Sequence, residues 1–272
     1  SGTSNRMMTK IMLGLVVGAL LIYSVGLFVL YRYQERLIFV PTRLPEHQQF
    51  SFSRPHQEVF VDVSGARLNG LVFEQPNAVG TILYFHGNAG ALDTWGDVGE
   101  DFSPYPYNLV VFDYRGYGKS TGAIDSELQL HQDALALYEF ARSRFEVDRF
   151  VIVGRSIGTG IAARLAAQHP PEKLILETPY FSLPDLVKTI YPIVPSSLLR
   201  YRLNTARWIR DLAMPIHLIH GDLDPLIPFK SSERLVALNS NAKLHTIHGA
   251  VHNNISEFDS YHQSLAIIFE AN

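Results

Sequence analysis

A serine between two glycines is the strongest chemical signal in the sequence. The segment Gly154–Gly158 (GRSIG) follows the apolar run 150–153 and precedes a stretch rich in small and apolar residues. A strand, a G-x-S-x-G turn and a helix in this order lift the serine hydroxyl above a sheet, and the glycines leave room where the strand and helix backbones approach. We therefore predict that Ser156 is a catalytic nucleophile.

A second G-x-S-x-G match, Gly118–Gly122, fits this geometry less well. Ser120 lies seven residues beyond Asp113, past the end of the preceding predicted strand, and the segment 122–125 separates it from the next helix. No tight strand-to-helix turn can form there. The stretch also resembles a phosphate-binding loop, but that motif needs glycine where Asp113 stands. We interpret Ser120 as loop structure.

A serine hydroxyl needs a base within hydrogen-bond reach and a carboxylate that orients the base. Two later strand ends supply both groups: Asp222 and Asp224 follow the run 216–219, while His248 and His252 follow the run 244–247. His252 is the predicted base because it lies in the loop between the last strand and the last helix, and His248 is the second candidate. The chain order serine, acid, histidine fits either aspartate.

Backbone N–H groups must stabilise the negative charge that develops on the substrate oxygen. The N–H of Ile157, directly after the serine, is one predicted donor. We expect the other from the glycine-flanked turn 86–90 after the third strand, with Asn88 as first choice and Ala89 as second. His86 in the same turn is interpreted as structural.

Metal chemistry has weak support in the sequence. His248 and His252 have the i,i+4 spacing of zinc ligands, but no His-Glu-x-x-His motif and no obvious third ligand accompany them. We expect neither a metal nor a cofactor.

Composition narrows the chemistry further. The chain has 272 residues, 23 Lys plus Arg, 26 Asp plus Glu, a formal net charge of −3 and no cysteine. The lack of cysteine excludes a thiol nucleophile, disulfides, Cys-ligated zinc and iron–sulfur clusters. Because the charge balance gives no overall basic field, we expect no nucleic-acid partner.

An apolar run near the start predicts a membrane anchor. Ile11–Leu30 holds 20 residues without a charge, and basic and aromatic residues flank it. A helix of that length spans about 30 Å, the thickness of a bilayer core. We predict an anchor helix at 9–31, single-pass or monotopic, after a segment 1–8 that holds a non-native extension and the start at Met7 or Met8. A cleaved signal peptide and a buried core helix are the alternatives. Gly14 and Gly18 form a G-x-x-x-G face through which a homodimer could form.

The remaining chain reads as one α/β domain. Eight short β-type runs begin with a hairpin signal at 64–66 and then alternate with helix-like stretches, which predicts a mainly parallel eight-stranded sheet with an antiparallel start and helices on both faces. We predict a basic linker at 32–56 and a catalytic domain at 57–272. Catalytic loops should lie at the carboxyl ends of the strands.

Taken together, the motifs resemble those of the α/β-hydrolase family, and specifically its membrane-anchored serine hydrolases with an amino-terminal helix. The resemblance covers about residues 32–270. It is carried by the segments 85–90 (FHGNAG), 113–120 (DYRGYGKS), 154–158 (GRSIG), 220–228 (HGDLDPLIP) and 249–253 (GAVHN). In the family pattern the acid falls on Asp224, and Val251 stands where similar sequences often carry glycine. The resemblance implies an α/β-hydrolase fold and hydrolysis of monoacylglycerols, lysophospholipids, protein thioesters or general carboxylic esters.

A proline-broken insertion at about 178–210 predicts a small helical cap. Its apolar residues suggest an acyl pocket, and the predicted pocket residues are Tyr180, Phe181, Ile190, Tyr191 and Val194. The cap also carries five basic residues against Asp185. Cations beside an apolar stretch suit an anionic membrane surface, so we expect the cap and the linker to face the bilayer.

These residues predict a membrane-anchored serine esterase, lipase or thioesterase that works through an acyl-enzyme, with a lipid or acyl ester as substrate. A serine peptidase or amidase with the same triad is the first alternative. A non-catalytic membrane scaffold is the second, although such proteins commonly lose a triad member and all three are present here.

Overall fold

The central sheet is built from strands that follow the predicted runs closely. The computed structural model describes residues 2–145 and 149–270. Within them, the strands of the large sheet are β2 (Gln57–Val63), β3 (Ala66–Phe73), β4 (Gly80–Phe85), β6 (Tyr107–Phe112), β7 (Phe150–Arg155), β8 (Lys173–Glu177), β9 (Ile216–Gly221) and β10 (Ala242–Ile247), and those of a second, small sheet are β1 (Val40–Pro41) and β5 (Ala89–Gly90). Ser1 of the predicted segment 1–8 and the end of the predicted domain 57–272 lie outside the described residues.

The large sheet has the strand order β10-β9-β8-β7-β4-β6-β3-β2. A turn at Gly65, whose φ is +74°, joins β2 and β3 into an antiparallel hairpin. The β3–β6 pair is also antiparallel, while the pairs from β6 through β4, β7, β8 and β9 to β10 are parallel. The predicted fold class, a mainly parallel eight-stranded sheet with an antiparallel start, is confirmed.

Helices cover both faces of the sheet. The described helices are α1 (Gly2–Tyr33), α2 (Glu35–Ile38), α3 (Leu92–Trp95), α4 (Val98–Asp101), α5 (Glu127–Arg144), α6 (Gly158–Gln168), α7 (Leu183–Ile190), α8 (Thr205–Ile209), α9 (Lys230–Val236) and α10 (Asp259–Glu270), with short 3-10 turns at Ser196–Leu198 and Ile255–Glu257.

Two hydrophobic cores lie on opposite faces of the sheet because side chains alternate along each strand. Leu83 of β4 packs in one core with residues of α5 and α6, such as Leu137 and Ile161. Its neighbour Ile82 packs in the other core with Leu265 of α10. Burial on both faces explains why these strands read as continuous apolar runs.

The amino-terminal helix stands apart from these cores. Helix α1 extends beyond the predicted bounds 9–31 at both ends. Residues 3–10 and 32–33 contain no proline or glycine that would end it. The mean hydropathy reaches 2.5 in an 18-residue window of this helix, and none of that window is buried. Apolar side chains exposed all round a helix are typical of contact with lipid or a partner. Ideal Cβ atoms at Gly14 and Gly18 meet nothing within 4 Å, so helix pairing through them stays a prediction.

The segment predicted as a basic linker, 32–56, carries regular structure. Helix α2 follows α1 directly, and β1 pairs with β5 through the bond from Val40 N–H to the Asn88 carbonyl (2.8 Å). The side chain of Arg54 is buried and donates to the Gly99 carbonyl at 3.1 Å. This segment is therefore packed against the domain that follows it rather than spanning free space.

The predicted cap at about 178–210 consists of short helical pieces, as its prolines require. Ser182 caps α7 by accepting a hydrogen bond from the Asp185 N–H, and Pro184 stands in the first turn of α7. Pro195 precedes the 3-10 turn at Ser196–Leu198, and α8 follows. The cap lies between β8 and β9 in the chain, on the way to the loop that carries Asp224.

Candidate active site

Ser156 lies on the sharp turn between β7 and α6. Its φ is +52°, a left-handed conformation that a non-glycine residue adopts at a cost. The neighbouring glycines are required by close approach: a Cβ at Gly158 would lie 2.2 Å from the Phe85 carbonyl oxygen, and one at Gly154 would lie 2.5 Å from the Gly158 carbonyl oxygen. The turn therefore presents the serine at the carboxyl end of the central strands.

The structure brings Ser156, His252 and Asp224 together from three separate loops. Ser156 Oγ is 3.0 Å from His252 Nε2, and His252 Nδ1 is 2.7 Å from Asp224 Oδ2. Both distances are those of hydrogen bonds. The residues lie after β7, β10 and β9, so the parallel sheet places their loops at one edge. This arrangement can transfer a proton from the serine to the imidazole while the carboxylate stabilises the imidazolium.

The Asp224 carboxylate is held by four hydrogen bonds. Oδ1 accepts from the N–H groups of Leu226 (2.8 Å) and Ile227 (2.9 Å), while Oδ2 accepts from His252 and His220. Burial by itself would raise the pKa of this carboxyl. The hydrogen bonds from the two imidazoles and the backbone outweigh burial, so the pKa of Asp224 is lower than usual. Asp224 is therefore ionised at neutral pH and oriented toward His252.

His220 is a second histidine on the acid, and the sequence reasoning assigned it no role. Its Nε2 lies 3.0 Å from Asp224 Oδ2 and 3.1 Å from the Ile227 carbonyl oxygen, so this nitrogen carries the proton. Its Nδ1 contacts Ser232 Oγ at 2.7 Å. His220 is fully buried and positions the acid rather than the nucleophile. The feature of the sequence that could have indicated this role is the position of His220 four residues before Asp224.

The alternative acid, base and serine of the sequence analysis have other hydrogen-bond partners. Asp222 pairs with the second-choice base His248 at 2.9 Å, and the His248 side chain is 83% exposed. Ser120 is buried, with its Oγ donating to the Asp113 carbonyl and accepting from the Asn69 N–H. It acts as loop structure, as interpreted from the sequence. Within residues 2–145 and 149–270, no group of three or more acidic, histidine or cysteine residues could hold a metal ion.

An apolar cavity of about 240 Å³ opens beside Ser156 and His252. Two of the predicted oxyanion donors, Ile157 and Asn88, line it, and so does Tyr180. The second choice Ala89 does not line the cavity, because it belongs to β5 and its carbonyl accepts from the Trp95 indole at 2.7 Å. The remaining lining residues were not predicted: Leu37, Ile38, Leu183, Leu186, Leu226 and Ile227.

Buried polar contacts hold the loop that carries Asn88 in place. Tyr117 donates to the Asn88 carbonyl at 2.7 Å, and Tyr114 donates to the His86 carbonyl at 2.7 Å. The ring of His86 lies 3.3 Å from the fully buried Asp113 carboxylate, whose pKa burial raises. These contacts fix the loop, and the Asn88 carbonyl is occupied as an acceptor by Tyr117 and by the Val40 N–H. The structural interpretation of His86 agrees with this placement.

Three of the five predicted pocket residues line one of two cavities: Tyr180 lines the cavity beside Ser156. Tyr191 and Val194 line a second cavity of about 470 Å³ between the amino-terminal helices and the cap. Phe181 and Ile190 line neither cavity. The Phe181 ring packs under the Arg234 guanidinium at 3.9 Å, and Ile190 is 42% exposed on the outer side of α7. Sequence hydrophobicity alone could not distinguish these faces of the cap.

Behind the histidine loop lies a buried charged cluster. Arg155 donates to the His252 carbonyl at 3.2 Å and lies 3.8 Å from Glu177 Oε2. Glu177 in turn accepts hydrogen bonds from Tyr84 (2.9 Å) and Tyr261 (2.7 Å). Because a buried carboxylate needs such partners, the cluster fixes the backbone at His252 to the central sheet.

Asp101 lies near this cluster, and ionisation of its carboxyl group lowers the stability of the fold. Burial and the nearby Glu177 raise the pKa of Asp101 to about 7. The pKa in the unfolded chain is about 3.9, so folding favours the protonated acid. Stability is therefore expected to fall as the pH rises from about 4 to about 7, and the full cost applies above that.

Replacing Asp101 with asparagine removes this cost. We expect Asp101→Asn to raise the Tm of the detergent-solubilised protein by at least about 2 °C at pH 8, with a smaller gain at pH 5. Scanning fluorimetry at both pH values measures it. Asp62→Asn is the matched control because the Asp62 side chain is 87% exposed. An equal shift at both pH values would contradict the assignment of the cost to the carboxylate.

Comparison with known proteins gives consistent matches. Residues 80–208 match the family described as alpha/beta hydrolase fold. An uncharacterized protein of Mycobacterium tuberculosis is 31% identical over 245 residues, which are 87% of this chain and 86% of that protein. Protein bem46 of Schizosaccharomyces pombe is 28% identical, over 92% of this chain and 90% of its own.

A lysophosphatidylserine lipase of Danio rerio is 32% identical over 183 residues, 60% of this chain. The match covers 48% of the lipase, so the chain spans about half the length of this relative. Among solved structures, an esterase of Pyrococcus furiosus superposes with a TM-score of 0.67 at 19% identity, over 85% of this chain and 97% of the esterase. At that identity the likeness shows the fold.

Proposed function

The chain belongs to the α/β-hydrolase family, and we propose that it is a membrane-anchored serine hydrolase that cleaves carboxylic esters or thioesters with an apolar acyl chain. The observation that carries the proposal is the chain of contacts from Ser156 through His252 to Asp224 beside an apolar cavity. A buried carboxylate, an imidazole and a serine in this order are the parts that acyl transfer needs.

In the proposed mechanism, Ser156 Oγ attacks the carbonyl carbon while His252 Nε2 takes its proton. The N–H groups of Ile157 and Asn88 stabilise the oxyanion, and loss of one such donor raises the barrier by about 3 kcal/mol. His252 then protonates the leaving alcohol or thiol as the bond to the carbonyl carbon breaks. A water molecule, deprotonated by His252, hydrolyses the acyl-enzyme and restores the serine.

Three observations support a lipid substrate at a membrane. Helix α1 is long, apolar and exposed over its length, and the cavity beside Ser156 is lined mainly by aliphatic side chains. The relative from Danio rerio, similar over 60% of this chain, is a lysophosphatidylserine lipase. We therefore assign α1 as the anchor and an ester of a fatty acyl chain as the substrate class.

Active-site labelling tests the proposal. The full chain in detergent should react with a fluorophosphonate probe, and peptide mapping should place the adduct on Ser156. The same preparation should hydrolyse p-nitrophenyl esters faster than the corresponding anilides. Preferred turnover of anilides would support the amidase alternative, and a protein that is folded but neither labelled nor active would support a non-catalytic scaffold.

A further inference from the structure

The larger apolar cavity lies between the anchor and the cap, outside the immediate serine site. It has a volume of about 470 Å³ and is lined from one side by Leu30, Leu37 and Ile38, and from the other by Val187, Val194 and Leu198. Leu37 and Ile38 of α2 also line the cavity at Ser156. The two spaces therefore adjoin each other at Leu37 and Ile38 of α2.

The two cavities differ in volume, and the volumes indicate how much of a substrate each can hold. The space at Ser156 holds about 240 Å³, below the range of about 300–1,000 Å³ that is typical of small-molecule sites, whereas the second cavity falls inside that range. A long acyl chain on the reacting carbonyl cannot be contained in the first cavity alone. The adjoining aliphatic space would remove the rest of the chain from water, and burial of each methylene favours binding.

We propose that the cavity between α1, α2 and the cap is the acyl-chain site, and that the chain enters it directly from the hydrocarbon of the bilayer. The carbonyl end lies at Ser156, and the chain passes Leu37 and Ile38 toward Val187 and Leu198. This inference rests on the proposed function and deepens it by naming where the chain binds and from which side it arrives.

The direction of entry follows from a contact between the cap and the anchor. The Tyr23 hydroxyl donates to the Ile193 carbonyl at 2.6 Å. Tyr23 lies ten residues before Tyr33 at the end of α1, about 15 Å along the helix axis. The cap segment 190–194 therefore follows the anchor toward its middle. Ile193 is 76% exposed and Tyr191 60% exposed, so with α1 in a bilayer these side chains lie in the same hydrocarbon.

Polar contacts hold the two walls of the cavity together. Gln34, which is 4% exposed, donates to the Leu198 carbonyl at 3.2 Å and accepts from the Arg200 N–H at 2.8 Å. Glu35 accepts from the Tyr201 hydroxyl at 3.0 Å and pairs with Arg200. Because these bonds join the start of α2 to the cap, the site is formed before the chain binds.

Filling the cavity tests the assignment. Val187→Trp and Val194→Trp place a large ring in the proposed chain site from the helix and from the loop of the cap. We expect each to lower the palmitate-to-acetate ratio of kcat/KM for p-nitrophenyl esters by at least about tenfold, since loss of contact with even one methylene is worth about tenfold or more. Val79→Trp is the matched control and should keep the wild-type ratio, because Val79 directly precedes β4, at the opposite end of this strand from the site loops.

The outcomes separate the two proposals. An unchanged ratio in a variant that still hydrolyses the acetate ester overturns the acyl-chain site and leaves the hydrolase intact. Equal loss of both esters in both variants, with the wild-type melting temperature, also overturns it, because a filled chain site discriminates by length. Acetate turnover by the wild type that does not exceed that of Ser156→Ala would overturn the proposed function and this inference with it. Val194 lies outside regular helix, so its variant remains informative if Val187→Trp does not fold.

Discussion

Ser156→Ala is expected to lower kcat for p-nitrophenyl esters by about 10⁶-fold, because without the hydroxyl neither the imidazole nor the carboxylate has a nucleophile to activate. The alanine methyl group fits the space of the serine Cβ, so the fold and the melting temperature should remain those of the wild type. Fluorophosphonate labelling should disappear in parallel. Steady-state hydrolysis of the acetate ester by matched preparations measures the change.

The second G-x-S-x-G serine supplies the control for this result. Ser120 is buried and bonded within its loop, far in the chain from the proposed nucleophile. Ser120→Ala should lower the free energy of unfolding by about 1–3 kcal/mol, because the Asn69 N–H loses its acceptor and the bond to the Asp113 carbonyl is lost. The labelled serine and kcat should remain those of the wild type. Full loss of labelling in Ser120→Ala with retention in Ser156→Ala would reverse the assignment of the nucleophile.

Asp224→Asn is expected to lower kcat by about 10⁴-fold, because the substitution moves the ring proton of His252 from Nδ1 to Nε2. The N–H groups of Leu226 and Ile227 bind one oxygen of Asp224 and would keep the asparagine carbonyl there. The amide NH₂ would then point at His252 Nδ1. That nitrogen must become an acceptor, which places the ring proton on Nε2, facing Ser156, where it prevents His252 from taking the serine proton.

Asp222→Asn is the matched control, since the two carboxylates are two residues apart and only one reaches His252. Asp222 bonds to the exposed His248 and to the Gly249 N–H. Its variant should keep kcat within about twofold. A larger loss in Asp222→Asn than in Asp224→Asn would contradict the proposed triad. The pH profile adds a second readout, because an inverted tautomer lowers kcat across the whole range.

The parts of the site that sequence predicted are those set by local backbone geometry. The GRSIG turn between an apolar run and a small-residue helix specifies the position of Ser156, since only that spacing allows the approach of Gly158 to Phe85. The strand runs were found within a few residues because buried parallel strands are continuous in hydrophobicity. The choice of Asp224 over Asp222 came from family resemblance, and in the structure it is Asp224 that contacts His252 and is held by His220 and the backbone.

The parts that sequence missed depend on contacts between distant segments. Leu37 and Ile38 follow the anchor and read as linker, yet they line the cavity at Ser156 because β1 pairs with β5 and draws the segment over the catalytic loops. Ala89 was a reasonable donor by position, but that same pairing removes it from the cavity. In the cap, Phe181 and Tyr191 have similar hydrophobicity, and only packing against Arg234 or the anchor separates their environments.

The packing of α2 also determines where the chain can be shortened without loss of part of the candidate active site. Because Gln34 and Glu35 bond to the cap and Leu37 and Ile38 border the cavity at Ser156, the anchor and the catalytic domain have no boundary at residue 57. A shortened, detergent-free form that starts there would lack one wall of the candidate active site and would expose the apolar residues of the cap to water. A form that begins just before Gln34 keeps that wall and loses α1, the proposed anchor, together with Leu30 at the second cavity.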